Sequence, residues 1–240
     1  MFSRVFADGG THLRPDTVKA KCTVRLDTVK RGGDDGGVSD LREQVLTASL
    51  ALIEERGVAA LSLREVARRA GVSHQAPYHH FAGKEAIVAE LVARGFTRLS
   101  EMLEAAERAR GEPARRLRLA ARAYVDFALG NPAVFRVMFR PELADLSACP
   151  AAAAAGTRAY SVLVRLVEER FAGPRVSPER LGVITTMHWS MVHGLATLLL
   201  DGSLGKRAGA AMAADALIER TLDTFSVAAG SLVTPTPRAS

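Results

Sequence analysis

Residues 62–84 read SLREVARRAGVSHQAPYHHFAGK, and this stretch carries the clearest local signals in the chain. Ser62 and Glu65 have the S-x-x-E spacing of a capping box, in which the serine caps the start of a helix. The helix is predicted to end at Gly71, because glycine readily takes the positive φ of a helix C-terminus. Ser73 is then predicted to cap a second, very short helix. A helix, a glycine turn and a short helix are typical of a helix-turn-helix.

The short second helix is predicted over residues 74–80, with Pro77 as its fourth residue. At that position a proline removes only about one intrahelical hydrogen bond, so a two-turn helix remains possible. Phe81 follows as a predicted buried anchor. A long helix is predicted to begin at Lys84, and Gly95 suggests a bend within it.

The composition excludes several classes of protein. The chain has 240 residues, of which 48% are hydrophobic, so a mostly disordered protein is excluded. The 41 alanines favour an all-α fold, because alanine is the best helix former. Two cysteines argue against a disulfide framework. The longest apolar candidate, residues 189–200, is too short to span a bilayer and contains His193, so no membrane partner is expected.

The two ends of the chain differ in composition from the middle. Residues 1–38 contain six glycines and show no sustained periodicity, which predicts a disordered leader. That leader is either a flexible basic arm or the result of a start codon assigned too far upstream. Helical periodicity begins at Asp40, and Gly57 is placed where the first helix should end. Residues 230–240 predict a flexible tail.

Residues 41–91 resemble the N-terminal DNA-binding domain of the TetR family of bacterial transcriptional regulators. The residues that carry the resemblance are Leu63-Arg64-Glu65-Val66-Ala67, Ala70-Gly71-Val72-Ser73, Tyr78-His79-His80-Phe81 and Lys84-Glu85-Ala86. Residues 189–195, WSMVHGL, look like the Trp-His-Gly signature of one type of TetR C-terminal domain. The resemblance implies a three-helix helix-turn-helix domain over 39–92. A helical domain for effector binding and dimerisation would follow over 93–229.

The predicted DNA contacts combine this resemblance with the chemistry of the side chains. Glutamine can pair with adenine through two hydrogen bonds, and histidine can donate to guanine or to a phosphate. The complete predicted set is Ser62, Arg64, Ser73, His74, Gln75, Tyr78, His79, His80 and Lys84. Residues 62–84 carry a local charge of +3, which fits contact with phosphates. For Arg68 and Arg69 a solvated helix face is an equally good interpretation, and His79 is as easily a bystander.

The resemblance also implies a pocket for a small, largely apolar effector in the C-terminal domain. The candidate lining residues are Met102, Tyr124, Phe127, Phe135, Met138, Met187, His188, Met191 and His193. Methionine adapts to irregular apolar shapes, which suits such a pocket. A plain hydrophobic core lined by the same side chains is the alternative for each of them. His188 and His193 stand out because they are polar residues in apolar surroundings.

TetR proteins pair through their last two helices, so the resemblance implies a homodimer. The candidate interface residues are Leu181, Ile184, Leu195, Leu199, Ala210, Ala214, Leu217 and Leu222. A two-fold dimer requires a palindromic operator in double-stranded DNA. We therefore predict a cytoplasmic repressor that a small-molecule effector releases from its operator.

Two other functional classes are alternatives to a regulator. An enzyme has no support, because the sequence has no recognisable catalytic triad and no phosphate-cradling glycine loop. No cofactor is predicted, and the adjacent His79 and His80 do not predict a metal site because neighbouring side chains point to different sides of a helix. A helical ligand-binding or scaffold protein without operator binding stays open as the alternative.

Overall fold

A computed structural model of the protein describes residues 36–140, 143, 149–174, 176–204 and 213–231, of which residues 36–40 and 231 are described by their backbone only. Its α-helices are α1 (Gly36–Arg56), α2 (Leu63–Ala70), α3 (Lys84–Glu107), α4 (Pro113–Gly130), α5 (Pro132–Met138), α6 (Pro150–Phe171), α7 (Pro178–Leu200) and α8 (Ala214–Ser231). Short 3-10 helices cover Val58–Ala60 and Ala76–His79. No strand occurs in these ranges, and the all-α prediction is confirmed.

Local signals place the ends of the first helices. The Ser62 hydroxyl accepts a hydrogen bond from the Glu65 backbone N–H at 3.3 Å, as the capping box predicts. Gly71 ends α2 with φ 69°, and Gly57 follows α1 with φ 78°, so both predicted stops are confirmed. Helix α1 begins at Gly36, earlier than the predicted start at Asp40. The rest of the predicted leader, residues 1–35, lies outside the described residues.

The chain divides into two compact units that do not follow chain order. The first unit comprises Met1–Thr97 and Pro132–Thr157, and the second comprises Arg98–Asn131 and Arg158–Ser240. Helix α3 contributes its first part to one unit and its last part to the other. The predicted domain boundary near residue 93 stays a prediction, and in this division α5 belongs to the first unit.

The core of the first unit lies between α1, α2, α3 and α5. Its most deeply buried side chains include Val45, Leu52, Val66, Phe81 and Ile87. Gly95 lies where α5 approaches α3, since a Cβ there would be 2.5 Å from Val134 Cγ1 and 2.6 Å from Met138 Sδ. Gly95 therefore permits close helix packing, which is a different role from the bend that the sequence suggested.

In the second unit, α4 packs against both α7 and α8. Apolar residues such as Phe127, Leu166 and Ile218 are fully buried there. Ionic contacts link α4 to α8, where Arg122 pairs with Glu219 at 2.9 Å and with Asp215 at 3.0 Å. These contacts reinforce a junction that apolar packing already holds.

Helix α7 is unusually apolar along its whole length. Its best 18-residue window has a mean hydropathy of 1.3, and 33% of that window is buried. By length and composition α7 is therefore able to cross a membrane, which differs from the prediction of no span, made because no uninterrupted apolar run is long enough. A single helix of this kind is weak evidence for a membrane span, because core helices of helical domains meet the same criteria.

Candidate nucleic-acid interface

Residues 74–80, here called the recognition segment, do not form the α-helix that the sequence predicts. Residues 74 and 75 form a turn, and Ala76–His79 form a 3-10 helix. Pro77 explains the difference, because it has no N–H to offer to the Ser73 carbonyl. The segment closes instead through i to i+3 hydrogen bonds, from Ala76 N–H to Ser73 O at 3.0 Å and from Tyr78 N–H to Gln75 O at 3.1 Å.

The recognition segment has a buried side and an exposed side. Pro77 is buried and Phe81 is only 3% exposed, so these two residues fix the inner side. His74 and Gln75 are exposed, and Tyr78 is 50% exposed. The His74 and Tyr78 rings lie 6.0 Å apart between centroids, with an interplanar angle of 31°. An aromatic pair and an amide are therefore both exposed on this segment.

The other predicted DNA contacts also reach the surface. Ser62, Arg64, Ser73, His79 and Lys84 are exposed, and His80 is half-buried. Such exposure is a requirement for contact with bases or phosphates. The structure gives Ser62 an additional local role as the cap of α2, and Ser73 contributes its backbone carbonyl to the turn.

The cations of α2 divide into two groups. Arg68 makes a bidentate pair with Glu65 at 2.9 and 2.6 Å, and Arg69 pairs with Glu55 of α1. Hydrogen bonds from these arginines hold the pKa values of both carboxyl groups below their ordinary range. The charges of Arg68 and Arg69 are thus largely compensated, which favours the structural interpretation of these two residues. Arg64, in contrast, makes no ion pair with any residue in the described part of the chain.

A shallow groove of about 370 Å³ runs beside the start of α2. It is lined by Ser62, Arg64, Glu65, Ala67, Arg68, Val72 and His74. Backbone N–H groups and the helix dipole favour anions at a helix N-terminus. The groove therefore combines that local field with the guanidinium of Arg64, which has no ion-pair partner among the described residues.

The predicted effector residues are found in both units, and a common pocket stays a prediction. Within the second unit, the Tyr124 hydroxyl lies 2.8 Å from His193 Nδ1. Burial raises the pKa of Tyr124, and a hydrogen bond with Trp189 offsets part of that rise. For His193, burial lowers the pKa. Tyr124, Trp189 and His193 thus form a polar cluster between α4 and α7, with Trp189 as a member that the predicted set omitted.

Several of the other effector residues have packing roles. His188 lies between the rings of Phe171 and Phe225, at centroid distances of 5.5 and 4.8 Å, and its Nδ1 is 2.9 Å from the Ile184 carbonyl oxygen. These contacts favour a packing role for His188, in line with the hydrophobic core that is the alternative for each predicted pocket residue. Phe127 is buried, and Met102 and Met191 are half-buried. Met187 is 39% exposed on the outer side of α7, so its place in an effector pocket stays a prediction. Phe135 and Met138 belong to the first unit.

Three of the predicted dimer residues face the core of their own unit, and the pairing of the others stays a prediction. Ile184, Leu195 and Leu222 are between 2% and 7% exposed, so they belong to the core of their own chain and cannot face a partner. Leu181, Leu199 and Leu217 are half-buried, Ala214 is exposed, and Ala210 lies outside the described residues. The exposed apolar residues of α7 are Val183, Met187 and Leu198. The sequence did not separate the two sides because both are apolar.

The described ranges contain no group of three or more His, Cys, Asp or Glu side chains that could hold a metal ion. This surface presents a cation, Lys84, and the exposed hydrogen-bonding side chains of the recognition segment. Such donors and such a cation suit a nucleic acid, whose phosphates accept from cations and whose bases accept hydrogen bonds at their edges.

Comparison with known proteins agrees with this geometry. Residues 45–91 match the model of bacterial regulatory proteins of the tetR family, and residues 117–225 match the tetracyclin repressor-like C-terminal domain. The chain belongs to the TetR family. The first match contains the whole of α2 and the recognition segment, so the sequence resemblance to TetR regulators is confirmed.

Individual curated relatives match parts of the chain. It is 32% identical over 95 residues to the uncharacterized HTH-type transcriptional regulator YobS of Bacillus subtilis, which is 39% of this chain and 49% of YobS. It is 43% identical over 61 residues to the HTH-type transcriptional repressor KstR2 of Mycobacterium tuberculosis, 25% of this chain and 30% of KstR2. The chain thus spans half or less of these curated relatives.

A solved structure extends the likeness over most of the chain. A protein of unknown function from Rhodococcus sp. RHA1 is 32% identical, with a TM-score of 0.65. The match covers 84% of this chain and 98% of that one. The fold shared with that structure therefore extends well beyond residues 45–91.

Proposed function

We propose that this TetR-family regulator binds a specific DNA duplex through its recognition segment and represses transcription there. The observation that carries the proposal is the outward display of His74, Gln75 and Tyr78, fixed from inside by buried Pro77 and Phe81. A short segment of this kind can present its first residues to base edges in the major groove. Gln75 has the amide chemistry that reads adenine.

Phosphate contacts would supply most of the affinity. Arg64 and Lys84 are exposed, and they flank the recognition segment along the chain. Both make no ion pair with another described residue, so their charges remain available to a polyanion. Each phosphate neutralised releases counterions, which makes binding strongly dependent on salt concentration. Steep salt dependence also separates a regulator from a helical scaffold that does not bind an operator.

The protein is proposed to act as a homodimer that pairs through the outer side of α7. Val183, Met187 and Leu198 lie on one side of that helix, with Ser190 and Gly194 between them. A Cβ at Gly194 would meet nothing within 4 Å, so this side leaves room for the close approach of another helix. A two-fold dimer would place two recognition segments on a palindromic operator.

A small, largely apolar effector is proposed to bind the C-terminal domain and release the DNA. The cluster of Tyr124, Trp189 and His193 offers hydrogen bonding within otherwise apolar surroundings, and Trp189, His193 and Gly194 are the residues of the proposed Trp-His-Gly domain type. An effector can shift the equilibrium only by its difference in affinity for the two states. Such a regulator would act in the cytoplasm, where it meets both DNA and small metabolites.

Gel-shift titration of duplexes selected from a random library tests DNA binding. Tyr78→Ala and Lys84→Ala should weaken binding, and Lys84→Ala should also reduce the slope of log affinity against log salt by about one. Arg98→Ala removes the same charge from an exposed position further along α3, where Arg98 pairs with Glu101, and it should have little effect. Unchanged affinity in both Tyr78→Ala and Lys84→Ala would contradict the proposal.

A further inference from the structure

Four charged side chains form a connected cluster between α1 and α3 in the first unit. Glu90, only 7% exposed, lies at its centre and accepts hydrogen bonds from Arg42 Nη1 at 3.2 Å and from Arg94 Nε at 2.8 Å. Arg42 Nη2 also lies 3.0 Å from the second oxygen of Glu90. Arg94 uses its two terminal nitrogens to bind Glu43 of α1 at 2.8 and 2.6 Å. We call these four residues the Glu90 cluster.

The Glu90 cluster also reaches the end of the recognition segment. The guanidinium carbon of Arg42 lies 5.3 Å from the centroid of the Phe81 ring, a cation–π distance. Phe81 is the buried anchor of the segment, and its N–H bonds to the Pro77 carbonyl at 2.9 Å. Arg42 therefore links α1, the buried carboxylate of α3 and the residue that closes the recognition segment.

Because Glu90 is buried, its hydrogen bonds with Arg42 and Arg94 restrict how α1 and α3 can move relative to each other. Burial alone would raise its pKa, but the hydrogen bonds from Arg42 and Arg94 together with the positive charges of these arginines outweigh burial and hold the pKa below its ordinary value. Glu90 is thus ionised while both arginines bind it. Loss of either arginine contact would leave a buried charge with fewer partners, which is strongly unfavourable. Apolar contacts tolerate small shifts between helices, whereas charge-assisted hydrogen bonds fix distance and direction.

We infer that Glu90 is a positioning residue for DNA recognition, which acts through Arg42 and Phe81 to fix the recognition segment against α1 and α3. The inference rests on the proposed operator binding for its functional meaning. Glu90 itself is buried and does not touch DNA. Its role is to keep the exposed side chains of the segment in one orientation, so that specific binding exceeds non-specific binding.

Glu90→Gln tests this role, with Glu101→Gln as the matched control on the same helix, where Glu101 is 51% exposed. Hydrogen exchange measures the segment directly, since the N–H groups of Tyr78, His80 and Phe81 are bonded within it. We expect Glu90→Gln to speed exchange at these amides by about tenfold while α7 amides keep their rates. The ratio of specific to non-specific DNA affinity should fall about fivefold or more. Glu101→Gln should change neither quantity.

The outcomes separate this inference from the proposed function. Unchanged exchange in the recognition segment of Glu90→Gln overturns the inference, whether or not DNA binds. A wild-type protein that prefers no duplex overturns operator binding, and exchange then still decides the positioning role. If Glu90→Gln does not fold, Arg42→Lys replaces it, because lysine keeps a positive charge beside Glu90 but lacks the guanidinium plane over Phe81. Arg42→Lys should speed the same exchange, and wild-type rates in that variant would overturn the inference.

Discussion

Replacing Gly95 by alanine should destabilise the first unit, although alanine is the better helix former. Gly95 is buried inside α3, where a Cβ would lie 2.5 Å from Val134 Cγ1 and 2.6 Å from Met138 Sδ. Both distances are well inside van der Waals contact. Helix α5 must therefore move away from α3, or both side chains must change rotamer.

The magnitude follows from two opposing terms. Exchanging glycine for alanine within a helix gains about 1 kcal/mol. Overpacking a core of this kind costs about 1–3 kcal/mol, so the net loss for Gly95→Ala reaches about 2 kcal/mol. Gly182 of α7 is the control, because a Cβ there meets nothing within 4 Å. Gly182→Ala should therefore retain the stabilisation that alanine brings within a helix, so this variant should be more stable than the wild type.

Urea unfolding followed by far-ultraviolet circular dichroism measures the comparison. The helix term is common to both variants, so the difference between their free energies of unfolding isolates the steric term of about 1–3 kcal/mol. Gly95→Ala should be the less stable of the two. Equal stability would refute the close approach of α5 to α3.

Three further predictions concern the second unit. Because burial lowers the pKa of His188, the unfolded chain takes up a proton more readily than the folded one, so the free energy of unfolding should fall as the pH drops below about 6.5 and through the lowered pKa. In urea titrations His188→Leu should therefore show a shallower dependence of stability on pH, and an unchanged dependence would contradict the prediction. Tyr124→Phe removes a buried hydroxyl that lies 2.8 Å from His193, and it should lower the free energy of unfolding by about 1–2 kcal/mol in the same assay. Wild-type stability in this variant would show that the Tyr124–His193 hydrogen bond contributes nothing. Leu198→Asp places a charge on a side chain that is 45% exposed and should yield monomers in sedimentation with the helical spectrum intact, while a persistent dimer argues against pairing through α7.

The features that the sequence predicted correctly depend on short stretches of chain. The Ser62 cap, the stop at Gly71 and the anchor at Phe81 each follow from a few neighbouring residues and their backbone preferences. The spacing between them is also what identifies the TetR family. The exposed positions of Gln75 and Tyr78 followed from the same local pattern.

Other features depend on information that a helical period does not contain. The sequence treated Pro77 as a tolerable residue in an α-helix, whereas the missing N–H favours 3-10 bonds throughout the segment. Helix α7 is apolar on both sides, so periodicity could not show that Ile184 faces the core while Val183 faces solvent. Glu90 and Arg94 have i, i+4 spacing, but their partners on α1 lie about fifty positions away along the chain.

Sequencing of the DNA fragments that the full chain retains from a random duplex library is the most direct test of the central claim. We predict enrichment of a two-fold symmetric site with half-sites about 10 bp apart, and loss of that enrichment in Tyr78→Ala. Retention of DNA without any enriched sequence, or an enriched site that Tyr78→Ala binds equally well, would contradict the assignment of the recognition segment.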